Sequence, residues 1–235
     1  GYPDLAVGSF GYPTPSTNIF VMLNNQNGTF GNFSTIATGG TNPYTLDIGD
    51  MNKDGNLDIV TANYSSNTIS VIPGVGNGTF TTAQRTKTQS TPEGVIMRDF
   101  NKDGNPDLLV TASGTNQYGY FKGNGTTNTF PRIDWVSTGA GPCDVDAGDF
   151  NGDGKLDIAI ISNSNSSVYV HLGNANDTFY AYSTLTTLSS GRGIEVKDLN
   201  NDGYIDIAVC AEGSNKVSVF KGNGNNTYQT REDYT

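Results

Sequence analysis

The sequence predicts an all-β protein assembled from repeats of four short strands, and three observations predict it. A nine-residue pattern, Asp-x-Asn-x-Asp-Gly-x-x-Asp, occurs four times, its first residues 49, 50 and 49 positions apart. Around each copy the same series of short apolar runs and Gly/Asn turns returns. No stretch carries the 3.6-residue periodicity of a helix. Four short strands at a period near 49 residues is the arithmetic of a β-propeller blade. The expected fold is therefore an all-β propeller of about five four-stranded blades, the first lacking its inner strand. Residues 1–235 read as a single domain with repeats at 1–42, 43–91, 92–141, 142–190 and 191–235.

Each repeat can be justified in chain order. Its first strand is an alternating stretch ahead of the pattern, at 43–49, 92–98, 142–148 and 191–197. The second is a β-branched run behind it, at 57–62, 106–112, 156–161 and 205–210. The third lies at 68–72, 118–121, 167–172 and 216–220, and a turn ending at Phe80, Phe130, Phe179 or Tyr228 opens the fourth. A fifth copy stands at the N-terminus. Asp4-Leu-Ala-Val matches Asp58-Ile-Val-Thr, Ile19-Phe-Val-Met-Leu matches a third strand, and Asn27-Gly-Thr-Phe matches the turn. This copy lacks a first strand and the earlier loop acids, and its 8–18 connection is about four residues longer than the others. The chain starts at Gly1 without an initiator Met or a signal peptide, which reads as a mature or excised piece; targeting is not legible from it.

The nine-residue pattern has the chemistry of a calcium loop. Calcium takes six to eight oxygen ligands, and a short loop supplies them by placing oxygens at alternate positions around a sharp turn. The side-chain donors would be Asp50, Asn52, Asp54 and Asp58; Asp99, Asn101, Asp103 and Asp107; Asp149, Asn151, Asp153 and Asp157; and Asp198, Asn200, Asp202 and Asp206. Position 6 is always Gly, which accepts a left-handed backbone at little steric cost. Position 7 is Asn56, Asn105, Lys155 and Tyr204, a variety that suits a backbone-carbonyl ligand. Three carboxylates in one short loop repel one another unless a cation lies among them. About four structural calcium ions are expected.

Charge supports the same reading. Twelve of the 23 acidic residues lie in these loops, and four divalent ions would bring the formal charge from −10 to −2. An acidic chain without a basic patch argues against a nucleic-acid partner. No apolar run is long enough to insert in a membrane. With 27 Asn, 30 Gly and 15% charged residues, the chain looks like a turn-rich extracellular β-protein. Two cysteines, Cys143 and Cys210, cannot make a disulfide framework. A single bridge between them and two buried free thiols both remain open, with the thiols favoured.

The loop, the Leu/Ile-Asp-Ile strand behind it and the Gly-Asn-Gly-Thr-Phe type of turn resemble the FG-GAP repeat and its VCBS-type relatives. Such repeats build the head of integrin alpha subunits and many secreted propellers. The resemblance spans essentially the whole chain. It implies a propeller whose metal loops join strands one and two, with ligand recognition on the opposite face. Seven blades are common in that family, so five repeats imply either a ring short of one strand or an arc of something larger. On the recognition face the resemblance would place Tyr12, Tyr44, Tyr64, Tyr118, Arg192 and Glu212.

Sequons stand at Asn27, Asn32, Asn63, Asn77, Asn124, Asn165, Asn176 and Asn225, and in a eukaryotic secreted protein some would be glycosylated. Catalysis finds little support: there is no nucleophile elbow, phosphate loop or Cys/His cluster, and the one histidine, His171, falls in a third strand. Asp47, Asp146 and Glu195 share one position on three first strands and could form an acidic ring or a hydrogen-bonded repeat feature. The expected function is a non-enzymatic, extracellular adhesion or recognition module for a protein or glycan. The alternative is a scaffold or filament subunit that self-associates through the incomplete first blade, because an open strand edge is a template for pairing.

Overall fold

The computed structural model describes residues 2–174 and 177–235. Nineteen strands among them form five antiparallel sheets in strict chain order. The first sheet has three strands, β1 (Leu5–Gly8), β2 (Asn18–Met22) and β3 (Ser34–Ala37). The second has four, β4 (Pro43–Gly49), β5 (Asp58–Asn63), β6 (Thr68–Ile72) and β7 (Gln84–Lys87). The third contains β8 (Pro92–Arg98), β9 (Asp107–Ala112), β10 (Gln117–Lys122) and β11 (Arg132–Ser137). The fourth contains β12 (Pro142–Gly148), β13 (Asp157–Ser162), β14 (Ser167–His171) and β15 (Ser183–Thr186). The fifth contains β16 (Gly191–Lys197), β17 (Asp206–Ala211), β18 (Lys216–Phe220) and β19 (Glu232–Tyr234). Two single 3-10 turns, Tyr64–Ser66 and Glu212–Ser214, are the helical segments among the described residues.

Second strands are the most buried elements. Every residue of β5, β9 and β13 is inaccessible. Their near-continuous β-branched and aliphatic sequence is what a strand covered on both faces requires. First and second strands keep one register across the repeats: Gly49 pairs with Asp58, Gly148 with Asp157 and Lys197 with Asp206.

The chain forms two compact units. One comprises residues 1–98, 105–110 and 119–134, the other 99–104, 111–118 and 135–235. The first holds sheets one and two, and the second holds sheets four and five; the third sheet gives residues to both. In the first unit Ile19, Val21, Ile59 and Ile72 form a core between sheets one and two. In the second, Phe150, Ile161, Val168, Val209 and Phe220 are among the residues packed between sheets four and five.

Neighbouring sheets in each unit are joined by carboxylates. Asp47 accepts the N–H of Met97 (2.7 Å) and a hydrogen of Arg98 Nη1 (2.8 Å). Asp146 accepts the N–H of Val196 (2.8 Å), and the other oxygen of each carboxylate caps the next N–H of its own strand. Two members of the expected acidic constellation thus serve as hydrogen-bonded clips between adjacent first strands.

Three sequence expectations are corrected. Tyr118 is not on a recognition face. It is a fully buried strand residue of β10, its ring edge-on to His171 (5.1 Å) and Phe179 (5.8 Å). Asn63 is a sequon asparagine, but it ends β5 fully buried, its amide donating to Thr68 and Ser70, so it cannot carry a glycan. Both cysteines are free and Cys143 is buried, but Cys210 is exposed, paired with the exposed Val217 on an uncovered face of the fifth sheet. The sequon at Asn176 lies outside the described residues.

Candidate functional site

The calcium-type loops are built from their own backbone. In the first, Asp50 accepts the N–H groups of Asp54 (3.0 Å) and Gly55 (2.9 Å), one on each oxygen. Asn52 Oδ1 accepts Asp54 N–H at 2.9 Å, and Asp54 Oδ1 accepts Asn56 N–H at 2.8 Å. The fourth loop repeats this with Asp198, Asn200, Asp202 and Tyr204. The second and third repeat the bonds to Asp99, Asn101, Asp149 and Asn151. The turn needs two left-handed residues. Gly55, Gly104, Gly154 and Gly203 at position 6 have φ between 81 and 89°. Position 4 is left-handed too, in Lys53, Lys102, Gly152 and Asn201 at φ 59 to 74°; sequence variety there had hidden this constraint.

The ninth residue ties loop to sheet. Asp58 is fully buried and accepts Met51 N–H (3.0 Å) and Gly74 N–H (2.9 Å). Asp157 does the same with Phe150 (2.8 Å) and Gly173 (2.7 Å), and Asp206 with Leu199 and Gly222. Asp107 accepts Gly123 N–H (2.8 Å) and the Tyr120 hydroxyl (2.6 Å). The third-strand glycine in each pair is sterically required. A Cβ on Gly74, Gly123, Gly173 or Gly222 would come within 1.8 to 2.3 Å of the carbonyl oxygen at loop position 8.

These donors fit calcium in kind. All are hard oxygens, and most of the carboxylate oxygens just described accept a single N–H, which leaves a lone pair for a cation. Burial, opposed by the two backbone bonds and reinforced by the charges of Asp153 and Asp149, pushes the Asp157 carboxyl up to about 6; Asp58 is raised for the same first reason, with Asp54 adding to it. Among the described residues no three His, Cys, Asp or Glu side chains gather into a metal-ligating group. The position-1 and position-9 carboxylates are anchored by backbone N–H groups. In the third loop Lys155 Nζ stands 2.8 Å from Asp153 Oδ2, and this bond holds the Asp153 carboxyl low. Lys102 Nζ donates to the Gly154 carbonyl of the same loop.

At the other loop end of the first unit, the long 8–18 connection is fastened by Asn42. This buried residue, itself left-handed at φ 53°, accepts the N–H groups of Gly11 (3.3 Å) and Ser16 (3.0 Å) on Oδ1 and donates to Ser65 Oγ (3.0 Å). The connection thereby places Phe10 edge-on to Tyr44 (5.6 Å) and Tyr64 (5.7 Å), with Tyr44 and Tyr64 6.0 Å apart. Two of the expected recognition residues are thus brought together, by a phenylalanine that sequence reading passed over. Its signal was its place in the one irregular connection. Tyr12 is 92% exposed, and Phe10 49%. In the second unit Arg192 Nε pairs with Glu212 Oε2 at 2.6 Å, so those two expected residues neutralise each other.

His171 is buried and uncharged. Its Nδ1 faces the Tyr180 carbonyl at 3.1 Å, which can only accept, so Nδ1 carries the hydrogen and Nε2 accepts from Thr138 Oγ1 at 3.0 Å. Burial lowers its pKa to about 4. Sequence reading also missed Asp144: burial, with Asp146 and Glu195 nearby, raises its carboxyl to about 7 although it accepts Ile194 N–H at 3.2 Å. The alternation Asp144-Val145-Asp146 was the available sign that both acids share a strand face.

The repeated loop-and-sheet unit defines an all-β, propeller-like repeat protein. The chain belongs to the FG-GAP-like repeat family, whose model matches residues 1–61, 50–110, 99–160 and 149–209. No curated protein matches it. Among solved structures it is similar in fold to a candidate 6-phosphogluconolactonase from Bacteroides uniformis ATCC 8492, with TM-score 0.68 and 19% identity over 92% of this chain and 63% of that one. A protein of unknown function from Desulfotomaculum acetoxidans DSM 771 matches with TM-score 0.64 and 16% identity over 91% and 63%. The Vibrio cholerae biofilm matrix protein Bap1 matches with TM-score 0.52 and 13% identity over 98% and 39%. The chain therefore spans 63% of the length of each of the first two.

Proposed function

We propose that this chain is a calcium-stabilised β-propeller, or an arc of one, that acts outside the cell as a non-enzymatic adhesion or recognition module for a protein or glycan. Four loops of hard oxygen donors in a family with calcium-type motifs support the metal. The Phe10–Tyr44–Tyr64 cluster carries the recognition half. A half-exposed aromatic group held by a buried asparagine is rigid and amphipathic, and aromatic side chains supply much of the energy in recognition sites. It lies at the loop end away from the metal loops of the same sheets. Exposed sequons at Asn27, Asn32, Asn77, Asn165 and Asn225 are compatible with glycosylation; Asn124 is half-buried in its turn.

The enzyme reading has less behind it. The carboxylates of Asp47 and Asp146 are engaged by backbone N–H groups, and His171 is buried. Similarity to candidate lactonases at under one-fifth identity speaks for fold alone. The test is to probe defined glycan and protein arrays with the labelled chain. Binding that is lost in Phe10→Ala and Tyr64→Ala at unchanged Tm supports recognition by this face. Turnover of 6-phosphogluconolactone that falls in Asp146→Ala or Glu195→Ala, with no array binding, would overturn it.

A further inference from the structure

The last strands of the first two sheets frame a cleft of about 340 Å³, a size within the range of small-ligand sites. One wall is residues 35–37 of β3, and the other is the run 80–83 that leads into β7. Ile36, Phe80 and Ala83 form its floor, half-buried against the core of the first unit. Thr35 and Thr82 stand exposed on opposite walls, and among the described residues their hydroxyls have no protein partner.

Charge singles this cleft out. Residues 5–46 hold no charged side chain, and residues 59–92 hold two, Arg85 and Lys87. Both lie on β7 and are exposed. Ala83, at the same alternate positions, packs into the core between the first two sheets, so Arg85 and Lys87 share its face. The stem of Arg85 crosses the end of the cleft: a Cβ on Gly39, which lines it, would stand 3.3 Å from Arg85 Cδ and 3.6 Å from Nε. Among the described residues neither cation has a carboxylate partner, whereas Arg98, Lys155, Arg192, Lys221 and Arg231 each pair with one. Guarding an outer edge strand against pairing does not account for them, since β3 and β15 hold the same outer place with no charge at all.

We propose that this cleft binds a carboxylated sugar, the uronate unit of an acidic polysaccharide. The Arg85 guanidinium takes the carboxylate through two parallel N–H···O bonds, the geometry that its planar fork favours. Lys87, about 7 Å further along the strand, adds positive charge in otherwise uncharged surroundings. The Thr35 and Thr82 hydroxyls bond ring hydroxyls from either side, and Phe80 with Ile36 receives the C–H face of the ring. Side-chain hydroxyls over an apolar floor match the alternating O–H and C–H faces of a sugar, which favours a saccharide over an acidic peptide. The site uses neither the aromatic cluster nor the metal loops, so it goes beyond the recognition reading above and either can fail alone.

The test titrates the full chain with trigalacturonate by calorimetry, in EDTA so that calcium cannot bridge carboxylates. Saturable one-to-one binding is expected, weaker at physiological than at low ionic strength. Arg85→Gln should weaken it at least about tenfold, the effect of losing charge-assisted hydrogen bonds. Lys87→Gln should weaken it about twofold to fivefold, as a solvent-exposed charge does. Both sites are exposed, so Tm should hold in each variant. Phe10→Ala should leave the affinity unchanged, which separates this cleft from the aromatic cluster. The methyl ester of the same trisaccharide, equal in shape but uncharged, should bind at least about tenfold more weakly. No binding at millimolar trigalacturonate, unchanged affinity in Arg85→Gln, equal binding of the methyl ester, or a triaspartate peptide bound as tightly as the sugar would each overturn the proposal.

Discussion

Replacing Asp157 by alanine tests the claim that the ninth loop residue is a structural fastener whether or not metal binds. Its two oxygens accept the N–H groups of Phe150 and Gly173 at 2.8 and 2.7 Å in a fully buried setting. Alanine leaves two buried donors unpaired, each costing about 1–3 kcal/mol, hence about 2–6 kcal/mol together. Removing a carboxylate whose pKa burial has raised to about 6 offsets part of this, so a net loss of about 2–4 kcal/mol is expected. Asp157→Asn keeps one carbonyl acceptor and should lose about half as much. Asp4→Ala is the internal control. It frees one exposed N–H, that of Asn24, and should change stability by no more than about 0.5 kcal/mol. The assay is urea denaturation of the three variants in EDTA, which removes any metal contribution. Equal losses for Asp157→Ala and Asp4→Ala, or a loss below about 1 kcal/mol for the former, would refute the reasoning.

Four further outcomes are expected. Gly74→Ala should lower stability by more than about 2 kcal/mol, since its Cβ would stand 2.1 Å from the Leu57 carbonyl oxygen; a melt within 2 °C of wild type would contradict that contact. His171 has a folded pKa near 4 against about 6.5 unfolded, so the neutral form is favoured by folding. Its contribution, on the order of 3 kcal/mol, is fully present above pH 6.5 and lost as pH falls through 4, and His171→Gln should flatten that part of the stability–pH curve. Calcium should stabilise the fold by mass action, by about 2.7 kcal/mol per site at a hundredfold excess over Kd, and so raise Tm, and a chelator should reverse the rise; a calorimetric melt unchanged by either would defeat the structural role of the ion. At the third loop Lys155 should compete with calcium, because it already pairs with Asp153; titration of Lys155→Gln should show one site tightened, and unchanged affinity would dismiss the competition.

The sequence by itself determined what depends on near neighbours along the chain. Asp, Asn and Asp at positions 1, 3 and 5 with Gly at 6 set the loop turn, since each of those bonds closes within five residues. Alternation and β-branching set the strands, and the even period set their grouping into sheets, including the three-stranded first sheet. Tertiary structure alone decided which side chains face solvent and which distant groups meet. Tyr118 and Asn63 look like loop-end residues in sequence, but sheet packing buries both. Phe10 reaches Tyr44 and Tyr64 only because Asn42, some thirty residues on, holds the intervening loop. Asp47 reads as an isolated acid until the next sheet brings Met97 N–H within 2.7 Å. The physical reason is common to all four. Burial, and the pairing of polar groups across it, is a property of the face a neighbouring sheet covers, and a local pattern carries no record of that face.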